Sequence, residues 1–109
     1  MFRRFEFICR FELMNPVRNL VRNSWYVYVL ESLKDRLWYT GCTSNLIKRL
    51  KEHNDGKVYA TKLRRPLILI YYEVSYNKYD AFAREKYLKS GMGKKYLKNR
   101  LKHYYERKK

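Results

Sequence analysis

The stretch from Trp25 to His53 constrains the fold most, because it places two strand patterns and one helix pattern next to each other. Trp25 to Leu30 is aromatic and β-branched on both alternating faces, which is typical of a strand that is covered on both sides. A polar turn, Ser32 to Arg36, separates it from a second strand pattern, Leu37 to Gly41. This arrangement predicts a β-hairpin.

A helix is predicted to follow the hairpin and to end near Asp55, with Thr43 or Ser44 as its N-terminal cap. At about 100° per residue, Leu46 and Leu50 form the apolar stripe of this helix. Two polar residues fall together along one border of the stripe, and we expect them to point toward the sheet: Arg49 and His53.

The second half of the chain begins with a basic loop, Gly56 to Arg65. The loop leads into an apolar run, Leu67 to Tyr72, whose length and composition predict a central strand. After this strand, Ser75 or Asn77 can cap a further helix, which is predicted over about Lys78 to Ser90.

Gly91 and Gly93 are expected to end that helix, and Gly93 is expected to begin another, whose apolar stripe is Leu97, Leu101 and Tyr104. A chain of 109 residues lies at the low end of domain sizes, so we expect one domain with one modest core. The predicted fold class is α/β, with a small three-stranded antiparallel sheet flanked by helices and a helical C-terminus.

One carboxylate falls within an apolar helix face. On the helical wheel Glu85 lies between Phe82 on one side and Ala81 and Leu88 on the other. A charge in such a place is costly unless it is paired or bound to a cation. The pattern therefore indicates either a salt bridge to a neighbouring Arg or Lys or a metal ligand, and both interpretations stay open.

The charge balance points to an anionic partner, because 26 Lys and Arg oppose 10 Asp and Glu, giving a net charge of +16. Nucleic acid is favoured over a membrane, since no apolar run approaches the roughly 18 residues of a spanning helix and aromatic residues are interleaved with the basic ones. The alternative is a merely solubilising surface. The predicted nucleic-acid-binding residues are Lys57, Lys62, Arg64 and Arg65 in the loop, and Lys94, Lys95, Lys98, Arg100 and Lys102 near the C-terminus.

The cysteines, Cys9 and Cys42, form no CxxC pair, which indicates neither a disulfide framework nor a redox motif and fits a reducing cytoplasm. Residues 1–24, which contain Arg but no Lys and no secretory signal pattern, are predicted to be an N-terminal extension, disordered or mis-annotated, to a domain at 25–109. This extension is either a basic arm that touches nucleic acid or the product of a misassigned start codon, and we favour the second.

The order and spacing of a few polar residues resemble a known family. Tyr26-Val27-Tyr28 followed by Tyr39-Thr40-Gly41 resembles the paired signature of the GIY-YIG nuclease superfamily. Three further positions match that family: the Arg and the Tyr or His of the next helix, and a lone Glu on a later helix. These are Arg49, His53 and Glu85, and the resemblance covers about Trp25 to Leu101, closest to the small single-domain bacterial members.

Three positions depart from the family pattern. Tyr26 replaces the first Gly of the signature, and Cys42 stands where the excision-repair nucleases of the superfamily carry a Lys. Leu97 stands where those nucleases carry an Asn after the glutamate helix. The side chains that could substitute for that Asn are Lys94, Lys95 and Asn99.

The resemblance implies a single-metal phosphodiester hydrolysis, which also suits a chain with few carboxylates directed at one place. Glu85 would hold Mg²⁺ or Mn²⁺, and Arg49 would donate hydrogen bonds to the scissile phosphate. Tyr28 and Tyr39 would orient the attacking water, with one of them as general base. His53 is either the rival base or the hydrogen-bond partner that takes the tyrosine proton.

The expected function is a metal-dependent endonuclease, monomeric and acting on DNA. Because phosphate contacts carry no base sequence information, a branch, flap or lesion of DNA repair or recombination is the favoured target. A different class of function is a non-catalytic nucleic-acid-binding module that keeps the fold, and a third is a basic accessory protein that docks on RNA, including ribosomal RNA.

Truncation at about Ser24 is expected to leave folding and nucleic-acid binding intact, because the first 24 residues contribute nothing to the predicted core. The melting temperatures of the truncated and full-length chains, compared by circular dichroism, test this expectation. A large loss of melting temperature would refute it.

Overall fold

The computed structural model describes residues 23–108, and most of the predicted N-terminal extension, residues 1–22, lies outside the described residues. The described part of the chain folds around one three-stranded antiparallel sheet. No helix within residues 23–108 is long and apolar enough to cross a membrane. The predicted α/β class, with its small antiparallel sheet and helical C-terminus, is confirmed.

The sheet consists of β1 (Trp25–Ser32), β2 (Trp38–Thr43) and β3 (Leu67–Ser75) in the order β2-β1-β3. The predicted hairpin is β1–β2. The prediction that the third strand is central is wrong, because β1 lies in the middle and β3 pairs only with β1 among the described strands. Helices on both sides cover β3, which explains its apolar run. Such a run shows that a strand is covered, but it does not show which strands are the neighbours of that strand.

Alternation along β1 divides the sheet into two faces. Tyr28 and Leu30 point to one face, where they pack with Leu67 of β3. Val27 and Val29 point to the other face and pack there with residues of the later helices. Because side chains alternate with a period of two, every residue of the central strand is assigned to a face by this register.

The first face is covered by α1 (Leu46–Asn54), whose Leu46 and Leu50 pack on it as predicted. The predicted cap is wrong: Asn45 caps α1, its side chain accepting a hydrogen bond from the backbone N–H of Lys48. Thr43 is the last residue of β2, so it cannot also begin the helix. A short 3₁₀ turn, Lys62–Arg64, lies in the basic loop between α1 and β3.

The second face is covered by α2 (Lys78–Lys89), α3 (Gly91–Arg100) and then α4 (Lys102–Lys108). Of the two predicted caps, Ser75 and Asn77, it is Asn77 that caps α2. The residues of α2 and α3 that complete the core against Val27 and Val29 are Ala81, Leu88 and Leu97. The sequence predicts a single last helix that begins at Gly93. The structure has two helices there, α3 and α4, and α3 begins at Gly91.

Ser90 allows α2 to turn directly into α3. Its backbone N–H and hydroxyl both donate to the carbonyl of Tyr87 at the end of α2, while its side-chain oxygen accepts from the N–H of Gly93. The turn brings the two helix backbones so close that a Cβ at Gly93 would overlap the Tyr87 carbonyl and the Leu88 Cα. Gly91 is exposed and has open space around it.

Two glycine substitutions test this close approach. Gly93→Ala is expected to lower the free energy of unfolding by about 1–3 kcal/mol or more, because the new methyl group overlaps a backbone that cannot move aside cheaply. Gly91→Ala is the matched control and is expected to change stability by less than about 1 kcal/mol, in the stabilising direction. Urea unfolding measures both, and equal effects of the two substitutions would contradict the proposed packing.

Candidate active site

The site is built around the close passage of Tyr28 over Gly41. These two residues are register partners on β1 and β2, and both face α1. The ring of the buried Tyr28 lies across Gly41 so closely that a Cβ there would overlap the phenol. The glycine of the second predicted motif is therefore needed for space above the strand, and it lets the Tyr28 hydroxyl reach the helix.

A buried chain of hydrogen bonds starts from that hydroxyl. The Tyr28 oxygen lies 2.8 Å from Nε2 of His53, and Nδ1 of His53 lies 2.7 Å from the hydroxyl of Thr61. His53 and Thr61 are fully buried. Both ring nitrogens of His53 are thus engaged within the protein. Thr61 was missed by sequence reasoning, because a threonine in a basic loop carries no signal of a contact with a helix.

Burial shifts the pKa values of both rings. It lowers the pKa of His53 from its ordinary 6.5 to about 4, with a further contribution from the positive charge of Arg49. Burial also raises the pKa of Tyr28 to about 12. The Arg49 guanidinium opposes this rise, whereas the electrostatic interactions of Tyr28 with Tyr39 and with the Glu85 carboxylate add to it. At neutral pH the imidazole is therefore uncharged and the phenol keeps its proton.

Tyr39 joins the same cluster from β2. Its ring meets the ring of His53 edge-on, with 5.2 Å between the two centroids, and Tyr28 meets His53 in the same way at 5.6 Å. Tyr39 is half-buried and packs beside the core of Tyr28 and Leu30. The structure thus brings together both tyrosines and the histidine of the predicted site.

Arg49 lies one helical turn before His53 on α1. Its side chain is 38% exposed and its Nη1 lies 3.0 Å from Oε1 of Glu52. The guanidinium also lies close enough to Tyr28 to influence the pKa of that phenol. Glu52 was not among the predicted site residues, although an i, i+3 pair on one helix is a signal that sequence reasoning could have used.

Glu85 approaches from α2. Its side chain is 22% exposed, and Oε2 lies 2.9 Å from Nζ of Lys89 one turn further along the helix. The carboxylate helps to raise the pKa of Tyr28, and it adds to the effect of burial in raising the pKa of the Cys42 thiol to about 11. The salt bridge to a lysine, one of the two interpretations drawn from the wheel, is present in the structure.

A divalent ion at Glu85 fits the surroundings only as a weakly anchored one. Within residues 23–108, no group of three His, Cys, Asp or Glu side chains is arranged to hold a metal. Mg²⁺ commonly keeps several waters and takes one or two carboxylates together with substrate phosphate oxygens, so a single half-buried glutamate is compatible with it. Lys89 would have to leave Glu85 for such an ion to bind.

The structure shows where two of the departures from the family pattern lie. Leu97 is buried in the core between α2, α3 and the sheet, so a polar side chain there would lose apolar burial. The nearby Lys94, Lys95 and Asn99 are exposed on α3. Cys42 is half-buried against Val27 and its neighbours, on the face opposite to Tyr28.

The predicted nucleic-acid-binding residues differ in their surroundings. Arg64 is held by an ion pair with Asp35, and Arg65 donates to the carbonyl of Lys62. A hydrogen bond to the phenol of Tyr71 raises the pKa of Arg100. The exposed lysines among the predicted set are Lys57, Lys62, Lys94, Lys95, Lys98 and Lys102.

Comparison with known proteins identifies the domain. Residues 24–98 match the family model of the GIY-YIG catalytic domain. The chain belongs to the GIY-YIG family. The resemblance inferred from the tyrosine motifs is thereby confirmed, and the matched segment contains both tyrosines and the arginine, histidine and glutamate described above.

The relatives of this GIY-YIG domain are small bacterial proteins. It is 45% identical over 74 residues to the UPF0213 protein YazA of Bacillus subtilis (strain 168), covering 67% of this chain and 74% of that protein. It is 48% identical over 65 residues to a UPF0213 protein of Clostridium perfringens, covering 59% and 69% of the two chains. The solution NMR structure of a UPF0213 protein from Bacillus halodurans matches with 36% identity and a TM-score of 0.44, covering 68% of this chain and 81% of that one.

The buried imidazole of this GIY-YIG domain predicts a pH dependence of stability. Below about pH 6.5 the unfolded chain takes up a proton on His53 that the folded chain resists until about pH 4. The free energy of unfolding is therefore expected to fall as the pH falls through that window, by about 2–3 kcal/mol from this group.

Urea unfolding at pH 7, 5.5 and 4.5 tests this expectation, with His53→Gln as the variant that cannot titrate. The difference in stability between the two proteins should shrink as the pH falls, because only the parent loses the contribution. A difference that stays constant over the whole range would refute the assignment.

Proposed function

We propose that this chain is a metal-dependent endonuclease that hydrolyses phosphodiester bonds of DNA. The observation that carries the proposal is the convergence of Tyr28, Tyr39, Arg49 and Glu85, which come from four different elements of the fold. A structural role alone does not require a half-exposed guanidinium and a carboxylate beside two tyrosines. Membership of a family whose domain is described as catalytic supports the same function.

In this proposal Arg49 binds the scissile phosphate. Its guanidinium is planar and permanently charged, and it is exposed enough to meet a ligand. Glu52 holds the side chain in place before substrate arrives, and a phosphate oxygen then takes over one or more of the guanidinium hydrogen bonds. Donors that stabilise charge developing on phosphoryl oxygens commonly contribute on the order of 10²-fold or more to the rate.

Tyr28 is proposed to orient the attacking water and to accept its proton, and His53 to be its partner. Both ring nitrogens of His53 are engaged by protein groups, so the imidazole has no free atom with which to meet a water. Tyr28 is 1% exposed in the free protein, so in this proposal its hydroxyl meets the water only when substrate is bound beside Arg49. When Nδ1–H donates to Thr61, Nε2 can accept the hydrogen of the Tyr28 hydroxyl. The pKa values of about 12 and about 4 disfavour transfer of this proton in the free protein, so the phenol needs extra positive charge.

Arg49 already supplies part of that positive charge. A Mg²⁺ or Mn²⁺ ion held by Glu85 would lower the pKa of neighbouring groups and stabilise charge on the phosphoryl oxygens. Tyr39 completes the arrangement by packing against His53 and limiting access of bulk water to the ring. Lys89, once displaced from Glu85, remains close by as a free cation for a second phosphate.

A second candidate is a nucleic-acid-binding module without catalysis. Two observations favour it: Glu85 carries a lysine partner that satisfies its charge without a metal, and Leu97 provides no polar side chain after the glutamate helix. Both candidates predict binding that weakens with salt, because both use lysines and arginines on phosphates. Only the endonuclease predicts metal-dependent cutting.

Cleavage of plasmid, flap and branched DNA in Mg²⁺, Mn²⁺ or chelator tests the proposal. The parent protein is expected to cut only with metal, and branched or flapped substrates faster than intact duplex. Glu85→Gln and Arg49→Ala are expected to lower the rate by at least about 10²-fold while circular dichroism and DNA binding persist.

Asp80→Asn is the matched control, because Asp80 is an exposed carboxylate in the first turn of the same helix as Glu85 and lies outside the site. It should cut like the parent. Tight binding with no metal-dependent cutting of any substrate would establish the binding module instead. Cutting that survives Glu85→Gln would show that the site named here is not the active one.

A further inference from the structure

A cleft of about 560 Å³ lies along the outer edge of β2, next to the candidate active site. One wall is the strand itself, and the other is formed by α2, α3 and α4. Its size falls in the range of sites that take small organic groups. Tyr39 belongs to the strand wall of the cleft, although its side chain is turned to the other face of the sheet, where it packs on His53. Lys89 of the cleft wall is paired with Glu85, so the cleft reaches the proposed metal ligand of the candidate site.

The cleft is basic. Arg36, Lys89, Lys94 and Lys98 line it, and no aspartate or glutamate is among the described residues of its wall. Of these four cations, Lys89 is paired with Glu85 at the end of the cleft nearest the active site. Cations that converge on one groove without matching carboxylates favour an anionic occupant.

The cleft is also aromatic. Trp38 and Tyr105 line it, with their ring planes at 88° and their centroids 6.3 Å apart. Tyr105 is 41% exposed and Trp38 is half-buried, so part of each ring faces the open space. Flat rings beside lysines are the combination with which proteins bind unpaired nucleotides, where bases stack on aromatic side chains and phosphates pair with cations.

We propose that this cleft binds one unpaired nucleotide of the DNA strand that is to be cut, next to the scissile phosphate. The base stacks against Trp38 and Tyr105, and the adjoining phosphates pair with Lys94 and Lys98. A base inside an intact duplex is stacked between its neighbours and cannot enter the cleft. The cleft would therefore select single-stranded segments at flaps and branches. The placement of the nucleotide beside a scissile phosphate rests on the proposed endonuclease function.

Intrinsic fluorescence tests the stacking step. The chain has two tryptophans, so Trp25→Phe leaves Trp38 as the only reporter. Titration of this variant with an oligodeoxythymidylate in chelator should quench the emission, because a stacked base quenches an indole. The reverse variant, Trp38→Phe, keeps Trp25, which packs edge-on against Phe82 outside the cleft and lines the pocket of Arg49, and its emission should be quenched clearly less than that of Trp38.

An otherwise identical strand made of abasic sugar-phosphate is the matched ligand. It offers the same phosphates without bases, and it should bind roughly 5-fold to 100-fold more weakly and leave Trp38 unquenched. Equal quenching by both strands, or a Trp38 emission that does not respond to either, would overturn the proposal.

The contribution of the lysines is tested by fluorescence anisotropy of a labelled strand, with both tryptophans left in place. Lys94→Gln/Lys98→Gln should weaken binding several-fold and reduce the slope of log affinity against log salt by about 1.4, since about two phosphate contacts are lost. Lys78→Gln/Lys86→Gln removes the same charge from α2 outside the cleft and should have a clearly smaller effect. Equal losses in the two double variants would contradict the cleft as the binding site.

The outcomes separate this inference from the proposed function. Quenching of Trp38 without any metal-dependent cutting would support the nucleotide cleft and refute the endonuclease. Cutting that depends on Glu85 but leaves Trp38 unresponsive would support the endonuclease and refute the cleft.

Discussion

The hydrogen bond between the Tyr28 hydroxyl and Nε2 of His53 joins the central strand to α1, and the arrangement of the site depends on it. The bond can form only because Gly41 leaves room for the phenol to cross the neighbouring strand. It fixes the rotation of α1 over the sheet, and that rotation places Arg49 beside the same phenol. Thr61 then anchors the other side of the imidazole, which ties the basic loop to the helix.

The charged groups of the site are held by pairs on their own helices. Arg49 is paired with Glu52 on α1, and Glu85 is paired with Lys89 on α2. Both pairs are partly exposed, so they contribute little to stability and can be exchanged for stronger ligands at low cost. A phosphate would replace Glu52 on the guanidinium, and a divalent ion would replace Lys89 on the carboxylate. The protein thereby keeps reactive charges near the surface without leaving them unpaired.

Sequence reasoning recovered the elements better than their arrangement. The hairpin, the stripe of Leu46 and Leu50 and the inward direction of His53 follow from local periodicity, and the structure has all of them. The position of β3 at the edge did not follow, since an apolar run is compatible with either place. The cap at Asn45 was missed by one residue, because Thr43, Ser44 and Asn45 are all good capping residues and only the end of β2 decides among them.

The sequence by itself determined the family and the identity of the candidate groups, because the spacing of two tyrosine motifs, an arginine, a histidine and a glutamate is a property of the chain order. Only the tertiary structure decided what those groups contact. The burial that makes His53 a poor base, the engagement of Thr61 and the basic aromatic cleft beside Tyr39 all arise between segments that are distant in sequence. Such contacts depend on how helices pack over a sheet, and local periodicity carries no information about that packing.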